Sequence, residues 1–495
     1  MKGKIKITIS ANEWETRVAV FENERLVEFY IERAEQQNLV GRIYKGRVEN
    51  IVRGLRGAFV NIGLRKNGFL PLTEIPEFET LEGDEVDEIE GGKIQPRTIS
   101  LREGEEILVQ VVKDPFAEKG ARLTSFVSIP GRYLVYFPNA QRVGISRRIS
   151  DRRERARLRD LVRQFKNPHA GLIIRTAAAD ASSEDLRLEY QELERLWNEV
   201  REKAERVPPP AVLYEEPSVA IKVLRDILSE NVEKITVDND RVYRQLDDYL
   251  NRLAPKFRRR LELYRGELPL FEHNGVEAEL NTLFQKRVWL KSGGFITIDQ
   301  TEAMVVIDVN TGRSAQEEDP EKLILETNLE AAAEIARQIR LRDLAGLIII
   351  DFIDMEDQKN TERVVQELKT QLANDRAKSD FSRMSRFGLL EMTRERTRPG
   401  MMYLLCETCP TCNGTGRVRS RSDVAMQVER TIINRLPKIR GRRVRILVAP
   451  SMAEFLTTEW YERLADFARR YELAIDVKAD YQLPPTEFKL LTESV

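Results

Sequence analysis

Two short apolar runs that each end on an aspartate constrain the fold of this chain more than any other feature. Val305 to Ile307 leads into Asp308, and Leu347 to Ile350 leads into Asp351. Unbroken apolar runs of this length are typical of strands buried on both faces, as in a parallel sheet. A helical crossover between them would make the strands parallel neighbours, and their carboxyl ends would then meet at one edge of the sheet. We therefore expect the two aspartates to lie side by side.

The segment between these strands predicts one amphipathic helix. Asp319 supplies an N-cap, Pro320 suits the first helical position, and Gly346 supplies a stop. Apolar residues recur at helical spacing and form one stripe: Leu325, Leu329, Ala332, Ala336 and Ile339. This pattern completes a strand, helix and strand unit.

Two carboxylates at the edge of a sheet repel each other unless a cation lies between them. Oxygen ligands with open positions favour Mg²⁺ or Mn²⁺. Such an ion can generate hydroxide from water and stabilise the charge on a phosphate under attack. Asn310, two residues after Asp308, would point to the same side and could orient the water or the phosphate. The alternative is that the aspartates are strand-end caps or turn residues.

The second strand also resembles the strand and acidic residue of a nucleotide hydrolase. Such enzymes cradle phosphates with a G-x-x-x-x-G-K-[ST] loop, and this sequence contains none. That function is therefore disfavoured.

Length and charge distribution indicate several domains and a basic face. Single cores seldom exceed about 300 residues, so 495 residues predict more than one. Residues 141–166 carry ten basic side chains against three acidic, whereas residues 74–90 carry nine acidic and no basic ones. We expect residues 76–90 to be a solvated acidic loop. The sequence shows no signal peptide and no apolar run of 18 residues, which predicts a cytoplasmic protein without a membrane-spanning segment.

The first thirty residues alternate apolar and polar positions in three runs, which predicts a meander of strands. Three strands are too few to fold alone. Residues 218–264 alternate helical and strand signals and are expected to complete the same sheet.

Residues 40–75 combine short strands, regular glycines, and basic residues interleaved with aromatics, as in small barrels of the OB type. Such barrels stack bases on exposed aromatics, and Phe59 and Phe69 are the candidate platforms. The basic and aromatic residues expected beside them are Tyr44, Lys45, Arg65 and Lys66. The alternative is that both phenylalanines are core residues. The motifs KGRV, GAFVNIG and GFLP resemble the S1 RNA-binding domain.

Two further features suit phosphate groups. The basic helix predicted over residues 151–165 could line the path of a phosphate backbone, or be a solvated arginine-rich face. Beyond it, a buried strand leads to Arg175 and Thr176, and a guanidinium fork beside a hydroxyl can grip a terminal monophosphate.

Cys409 and Cys412 form a C-x2-C pair followed by an Asn-Gly-Thr-Gly turn. Such a pair is half of a tetrahedral zinc site, and a second copy of the chain could supply the other half and form a dimer. Cys406 could compete as a ligand or stand free, and the alternative for the pair is a reduced surface dithiol. The residues that follow predict a small α+β domain for packing or oligomerisation.

The S1-type stretch, IDVNTG, LIIIDFIDM, RFGLLEMTRER and CPTCNGTG, in this order, resemble the ribonuclease E/G family. The resemblance implies a multidomain α/β and α+β fold. Its parts would be an RNase H-like subdomain (1–36 and 218–278), an inserted S1 barrel (37–124), an inserted sensor for the RNA 5′ end (125–217), a DNase I-like catalytic domain (279–403), a zinc link (404–418) and a small α+β domain (419–495).

The same resemblance implies a Mg²⁺-dependent endoribonuclease that cuts single-stranded, AU-rich RNA and leaves a 5′-phosphate and a 3′-hydroxyl. It implies a preference for 5′-monophosphorylated substrates and roles in ribosomal RNA maturation and messenger RNA decay. A homodimer joined by Zn²⁺ on Cys409 and Cys412, or a homotetramer built from two such dimers, is also implied.

By motif, the metal ligands would be Asp308 and Asp351, with Asn310 as the supporting catalytic residue. The RNA contacts of the barrel would be Phe59, Phe69 and Lys119. The 5′-phosphate pocket would comprise Gly131, Val135, Arg175, Thr176 and Lys378. The family usually has an arginine at the position of Lys378, and lysine keeps the charge but lacks the planar fork.

Two other functions compete with the nuclease. One is a non-catalytic RNA-binding scaffold in ribosome assembly, which the paired aspartates argue against. The other is a DNA nuclease. Metal-independent ribonucleases commonly use histidines, but this chain has only His169 and His273, far apart in sequence, so metal chemistry fits better.

Overall fold

The computed structural model describes residues 3–35, 39–74, 86–90, 97–98, 100–115, 119–139, 143–179, 181–312, 320–396, 398–438 and 443–492. The chain divides into two compact units, Met1–Met402 and Tyr403–Val495. Each is described by itself.

The N-terminal strands form the predicted meander. They are β1 (Ile5–Ala11), β2 (Glu15–Glu22) and β3 (Arg25–Arg33), paired antiparallel in sequence order. Ile7, Ile9 and Val18 are buried, and so are Thr8 and Ala19, which point to the opposite face. The middle of this sheet is therefore covered on both faces.

The next eight strands include a closed barrel. They are β4 (Ile43–Val52), β5 (Gly57–Asn61), β6 (Gly68–Pro71), β7 (Thr73–Glu74), β8 (Val86–Glu90), β9 (Arg97–Thr98), β10 (Glu106–Lys113) and β11 (Arg122–Thr124). The barrel follows the order β4, β5, β6, β11 and β10, and β10 pairs back onto β4. This five-stranded closure confirms the predicted S1-like barrel. β7 and β9 form a separate two-stranded ladder.

A third sheet follows the barrel. Its elements are β12 (Ile129–Pro130), β13 (Leu134–Phe137), β14 (Val143–Ser146), α1 (Arg152–Phe165), β15 (Gly171–Ile174) and α2 (Ser183–Arg206). The sheet order is β12, β13, β15, β14 and β8, and both helices pack on it through one apolar core. Next, β16 (Ala211–Tyr214) adds to the barrel beside β4.

The prediction of a solvated loop over residues 76–90 is wrong for its end. Residues 86–90 form β8, which pairs antiparallel with the edge strand β14. An unpaired edge would leave a row of backbone N–H and C=O groups open, and β8 satisfies them despite its charge. Residues 76–85 lie outside the described residues.

The chain then returns to the N-terminal sheet, as predicted. The elements are α3 (Val219–Ile227), β17 (Val232–Val237), α4 (Asp240–Leu253), β18 (Leu261–Leu263), α5 (Leu270–His273) and α6 (Val276–Thr282). β17 pairs parallel with β1, so residues separated by the barrel and the third sheet share one five-stranded sheet and one core.

The last sheet of the first unit contains the predicted strand, helix and strand, and we call it the crossover sheet. Its elements are β19 (Arg287–Trp289), β20 (Phe295–Gln300), β21 (Met304–Asn310), α7 (Pro320–Arg342), β22 (Gly346–Asp351), α8 (Gln358–Leu372), β23 (Ser379–Phe381) and β24 (Leu389–Arg394); α9 (Met401–Leu405) follows. The order is β19, β20, β21, β22, β24 and β23, with β21 and β22 parallel.

The prediction that both faces of these strands are buried is wrong. Ile348 and Ile350 are fully buried, whereas Leu347 is 37% exposed and Asp351 is exposed. The flanking strands β20 and β24 join antiparallel. Both α7 and α8 pack on one face of the sheet, and the other face is open to solvent, as mixed and antiparallel sheets allow.

Helix α7 has the predicted apolar stripe, from Leu325 to the fully buried Ile339. It ends at Arg342, and the left-handed backbone of Asp343 (φ 51°) and Gly346 (φ 90°) turns the chain into β22. The proposed N-cap, Asp319, lies outside the described residues.

The second unit holds the predicted small domain of helices and strands. Its elements are α10 (Arg421–Arg435), β25 (Arg443–Val448), α11 (Pro450–Thr457), α12 (Tyr461–Arg470), β26 (Ala474–Ala479) and β27 (Phe488–Thr492). β25 lies between the parallel β26 and the antiparallel β27, over its own apolar core. Among the described residues, no helix of either unit is long and apolar enough to cross a membrane.

The likeness of the N-terminal sheet to RNase H, the likeness of the crossover sheet to DNase I, and the domain boundaries remain predictions.

Candidate active site

The open edge of the crossover sheet carries the two predicted aspartates side by side. Asp308 and Asp351 are direct partners in the parallel pair of β21 and β22. The side-chain amide of Asn310 donates a hydrogen bond of 2.7 Å to Asp308 Oδ2, and Thr297 Oγ1 on β20 lies 3.4 Å from the same oxygen. Both carboxylates are exposed to solvent. The geometry predicted from sequence is therefore present.

A third carboxylate, which the sequence analysis missed, stands close by. Burial raises the pKa of Asp351, and the charges of Asp308 and Asp354 raise it further. Asp354 also lies against Gly388, where a Cβ atom would come within 2.8 Å of Asp354 Oδ1. The signal was available, because the motif repeats an acidic residue three positions after Asp351. We call Asp308, Asn310, Asp351 and Asp354 the acidic rim.

Buried polar contacts hold the segment after β22 in place. Asn328 on α7 is completely buried; its amide donates to the carbonyl oxygen of Ile353 (2.9 Å), and its oxygen accepts from the Ile353 N–H (3.2 Å). This clamp fixes the backbone between Asp351 and Asp354 to the helix beneath it.

The acidic rim fits a hard divalent cation. Carboxylate oxygens, with coordination positions left for water and phosphate, are what Mg²⁺ takes at phosphate-processing sites. Within the described ranges, no three His, Cys, Asp or Glu side chains converge into a complete protein cage. Asp308 and Asp351 are therefore the residues that could hold the ion, with its other positions open.

On the barrel, Phe59 and Phe69 are direct cross-strand partners on the outer surface. Their ring centroids lie 5.7 Å apart at 64°, and both rings are partly exposed. Their neighbours Ala58 and Leu70 point inward and are fully buried. The alternative that the phenylalanines belong to the barrel core is therefore wrong.

The basic side chains near these rings divide into two groups. Arg122, exposed, is the partner of Phe69 across the sheet, and Lys119 is exposed just before β11. Lys45, in contrast, donates to the carbonyl oxygens of Ala204 and Val207 and pairs with Glu106 at 2.9 Å. Its ammonium serves domain packing.

The expectation that Tyr44 lies beside the platforms is also wrong, because Tyr44 is only 2% exposed and belongs to the barrel core. Tyr44 is buried because its side chain points from β4 into the interior of the barrel. Arg65 is exposed on the loop between β5 and β6.

Gly131, Arg175 and Thr176 meet at one corner of the third sheet. Arg175 Nη1 donates to the carbonyl oxygen of Gly131 at 2.7 Å and to Asp226 Oδ1 at 3.1 Å. The hydroxyl of Thr176 lies 2.9 Å from that of Ser146. Val135 is 3% exposed, so its side chain is buried beside this corner.

A buried carboxylate that the sequence analysis missed organises this corner. Glu189 on α2 is 4% exposed and accepts hydrogen bonds of 2.7 to 2.8 Å from the backbone N–H groups of Arg132, Tyr133 and Leu134. Burial raises the pKa of Glu189, and the three amides oppose that shift. Gly131 packs so closely that an added Cβ would come within 2.7 Å of Glu189 Cδ. The signal was an acidic residue on the apolar stripe of α2.

Asp226 connects this corner to the chain near the crossover sheet. Its second oxygen lies 3.4 Å from Arg376 Nη1, and Arg376 also contacts Glu28 at 2.9 Å. Burial would raise the pKa of Glu28, but Arg376 and Arg340 lower it to about 2. Lys378, two residues after Arg376, has its ammonium 3.9 Å from Asp380. Its place in the phosphate pocket remains a prediction. We call Gly131, Arg175, Thr176, Glu189 and Asp226 the arginine corner.

Cys409 and Cys412 lie on a tight turn of the second unit. Asn413 N–H donates to the carbonyl oxygen of Cys409, and Gly414 takes a positive φ of 85° in the turn. Hydrogen bonds from the backbone N–H groups of Cys412 and Thr411 lower the pKa of Cys409, which favours the thiolate that binds metals. Cys406 and Cys409 are exposed.

Comparison with known proteins agrees with this architecture. The model described as "Ribonuclease E/G family" matches residues 128–397, more than half of the chain, and the model described as "RNase E/G, Thioredoxin-like domain" matches residues 408–493. A barrel of the S1 type, an acidic sheet edge and these matches define the chain as a ribonuclease.

Curated relatives narrow the class to a family. The chain is 40% identical over 457 residues to ribonuclease G of Haemophilus influenzae, covering 92% of each chain. It is 38% identical over 481 residues to ribonuclease G of Escherichia coli strain K12, covering 97% of each. It is 37% identical over 478 residues to ribonuclease E of Haemophilus influenzae, covering 96% of this chain and 50% of that relative. The chain belongs to the ribonuclease E/G family.

Proposed function

We propose that this ribonuclease E/G-family endoribonuclease hydrolyses single-stranded RNA with a Mg²⁺ ion held by Asp308 and Asp351. The observation that carries the proposal is the parallel register that places the two carboxylates opposite each other, with Asn310 bonded to one of them. Solvent exposure of both carboxylates leaves room for water and an RNA phosphate.

In the proposed mechanism, a bound Mg²⁺ would lower the pKa of a coordinated water and stabilise negative charge on the phosphate oxygens. Asp308 and Asp351 would hold this ion, and their negative charges would balance part of its positive charge. The hydrogen bond from Asn310 fixes Asp308, and the Asn310 carbonyl oxygen remains available to align the attacking water. Attack on phosphorus with departure of the 3′-oxygen leaves a 5′-phosphate and a 3′-hydroxyl.

The barrel is proposed to hold the single strand. The partly exposed faces of Phe59 and Phe69 suit base stacking, and Lys119 suits a backbone phosphate. Aromatic side chains can stack on any base, so stacking gives little sequence preference. The proposed preference for AU-rich RNA instead reflects weak base pairing, which leaves such segments single-stranded.

The arginine corner is proposed to bind a 5′-monophosphate. Arg175 and Thr176 offer charge-assisted and hydroxyl hydrogen bonds, and Lys378 is proposed to add charge. Substrates with a 5′-monophosphate would include intermediates of ribosomal RNA maturation and messenger RNA decay. A cytoplasmic location remains a prediction.

The direct test is cleavage of a 5′-monophosphorylated, AU-rich single-stranded RNA with Mg²⁺, comparing the wild type, Asp308→Asn and the control Asp299→Asn. Asp299 is an exposed aspartate on β20 that pairs with Lys286, outside the acidic rim. We expect cleavage by the wild type and the control and none by Asp308→Asn. Equal cleavage by all three would remove the proposed site, and no cleavage by any would favour an RNA-binding scaffold. DNA of the same sequence tests the DNA nuclease.

Zinc on Cys409 and Cys412 is proposed to join two chains, because a C-x2-C pair supplies two of the four ligands of a tetrahedral zinc site and a second chain would supply the other two. Cys409→Ser should lower both the zinc content and the mass measured by sedimentation at low protein concentration. Cys406→Ser is the matched control and should change neither. A wild type that binds no zinc and keeps the same mass as Cys409→Ser would contradict the link.

A further inference from the structure

The row of residues that contains the acidic rim continues across the crossover sheet onto β20 and β19. Asn310 is opposite Phe295, and Phe295 is opposite Trp289. One row away, Asp308 is opposite Thr297, and Thr297 is opposite Arg287. Direct cross-strand partners share a face of a sheet, so Trp289, Phe295 and Arg287 lie on the face that carries the acidic rim.

Burial confirms this orientation. The alternate residue Ile296 is completely buried against the helices, and Val288 packs against the same core. Trp289, in contrast, is 64% exposed. A single exposed apolar residue is common on protein surfaces. An exposed tryptophan that clusters with other side chains beside a candidate active site instead indicates a binding surface.

The three side chains form one compact cluster. The Trp289 and Phe295 ring centroids lie 5.3 Å apart at 63°, an edge-to-face arrangement. The guanidinium carbon of Arg287 lies 4.2 Å from the centroid of Phe295 and 5.6 Å from that of Trp289. Among the residues that the structure describes, none offers Arg287 a carboxylate, so its hydrogen-bond donors remain available to a ligand.

The hairpin that carries the cluster is fixed to the helix below. The backbone N–H groups of Lys291 and Ser292 donate to the two oxygens of Glu330 on α7, at 2.6 and 3.0 Å. Leu290 N–H also donates to the carbonyl oxygen of Gly294, which closes the turn. The turn beside Trp289 and Phe295 is therefore held in a fixed position on α7.

From these contacts we propose that Trp289, Phe295 and Arg287 form a stacking site for a nucleobase of the single-stranded substrate next to the phosphate that is cut. The indole face receives the base, and the guanidinium binds the neighbouring phosphate. Strands two apart in a sheet are separated by about 10 Å, so this base lies within a nucleotide or two of the acidic rim. The inference deepens the proposed function and rests on RNA passing over the rim.

Binding without cleavage provides the first test. In an Asp308→Asn background with Mg²⁺, a short AU-rich RNA with a 5′-hydroxyl is titrated against proteins with Trp289, Trp289→Ala or Trp289→Phe. Loss of one stacked base should weaken the affinity roughly tenfold for alanine and much less for phenylalanine. Trp14→Ala, which removes another exposed tryptophan (69%), on the turn between β1 and β2, is the control and should bind as its parent does.

Steady-state cleavage in the otherwise wild-type protein provides the second test. Trp289→Ala should raise KM roughly tenfold with a smaller effect on kcat, and Arg287→Ala should act in the same direction. Unchanged RNA affinity and KM in Trp289→Ala, with normal cleavage by the wild type, would overturn the stacking site while the nuclease stands. Absent cleavage by the wild type would reject the nuclease, and the binding titration would still decide on Trp289. Unchanged affinity with a lower sedimentation mass would instead make this face a contact between copies.

Discussion

The acidic rim and the arginine corner differ in how their charged side chains are arranged. The rim brings together like charges on an open sheet edge, where partial burial and then the charges of Asp308 and Asp354 raise the pKa of Asp351. The corner buries Glu189 under three backbone amides and pairs Arg175 with Asp226. The like charges of the rim suit a bound cation, whereas the charged groups of the corner are already paired within the protein.

Because of this difference, substitutions at the rim should mainly change activity, whereas substitutions at the corner should mainly change stability. Neutralising a charge at the rim should remove activity and relieve repulsion, whereas neutralising a charge at the corner should leave buried donors without a partner. The corner is also preorganised by these contacts, so the proposed binding of a 5′-phosphate would require less ordering of side chains there.

The largest effect is expected for Asp351→Asn. Loss of a proposed metal ligand should lower kcat on the order of a thousandfold, which corresponds to several kcal/mol of transition-state stabilisation. In metal-free buffer the same change should leave the free energy of unfolding equal or slightly higher, because it removes repulsion. Urea unfolding in EDTA checks the second part, and clear destabilisation would show that the rim is not a site of like-charge repulsion.

A smaller effect is expected for Arg175→Ala. The ratio of kcat/KM for 5′-monophosphate over 5′-hydroxyl RNA should fall roughly tenfold to a hundredfold, the range for a lost charge-assisted hydrogen bond. Cleavage of 5′-hydroxyl RNA should change little. Arg206→Ala, an exposed arginine at the end of α2, is the control. A ratio that stays at the wild-type value would remove the corner from 5′-end recognition.

Glu189→Gln should act mainly on stability. Glutamine places an NH₂ group against backbone donors that now share one carbonyl oxygen, which should cost about 1–3 kcal/mol of unfolding free energy. The 5′-monophosphate preference should fall by a few fold because the Gly131 turn loosens. Exposed Glu184→Gln on the same helix should do neither. Wild-type stability in Glu189→Gln would contradict the buried-charge account of the corner.

The smallest effect concerns pH at the rim. Because the pKa of Asp351 is raised, this carboxyl holds its proton to a higher pH than an ordinary aspartate, and the proton competes with the metal. The Mg²⁺ concentration for half-maximal cleavage should therefore rise as pH falls toward that pKa. Asp354→Asn removes one cause of the shift and should weaken this pH dependence. Mg²⁺ titrations at several pH values check the direction, and a pH-independent requirement would oppose it.

The rim could be predicted from sequence because its signals are local. Apolar runs that end on Asp308 and Asp351, and Asn310 two residues later, fix strand ends and side-chain direction within a few positions. The crossover rule then joins the two strands without knowledge of the rest of the fold. The C-x2-C knuckle is equally local.

The misses have tertiary causes. Leu347 is partly exposed because both helices pack on one face, which a single strand cannot reveal. Tyr44 looked like a platform residue from its neighbours in sequence, but the inward side of the closed barrel buries it. The acidic residues 86–90 were predicted to be a solvated loop. They form a strand because their backbone hydrogen-bonds to the edge strand β14.

The sequence by itself determined the strand, helix and strand unit, the paired aspartates, the S1-like barrel and the family, since these depend on periodicity and on short motifs. Only the tertiary structure decided that Glu189 holds a turn 57 positions away, that Asp226 meets Arg376 150 positions away, and that Trp289 joins the row of Asn310. The physical reason is that such contacts are fixed by how sheets and helices pack, and packing joins residues whose separation along the chain carries no local signal.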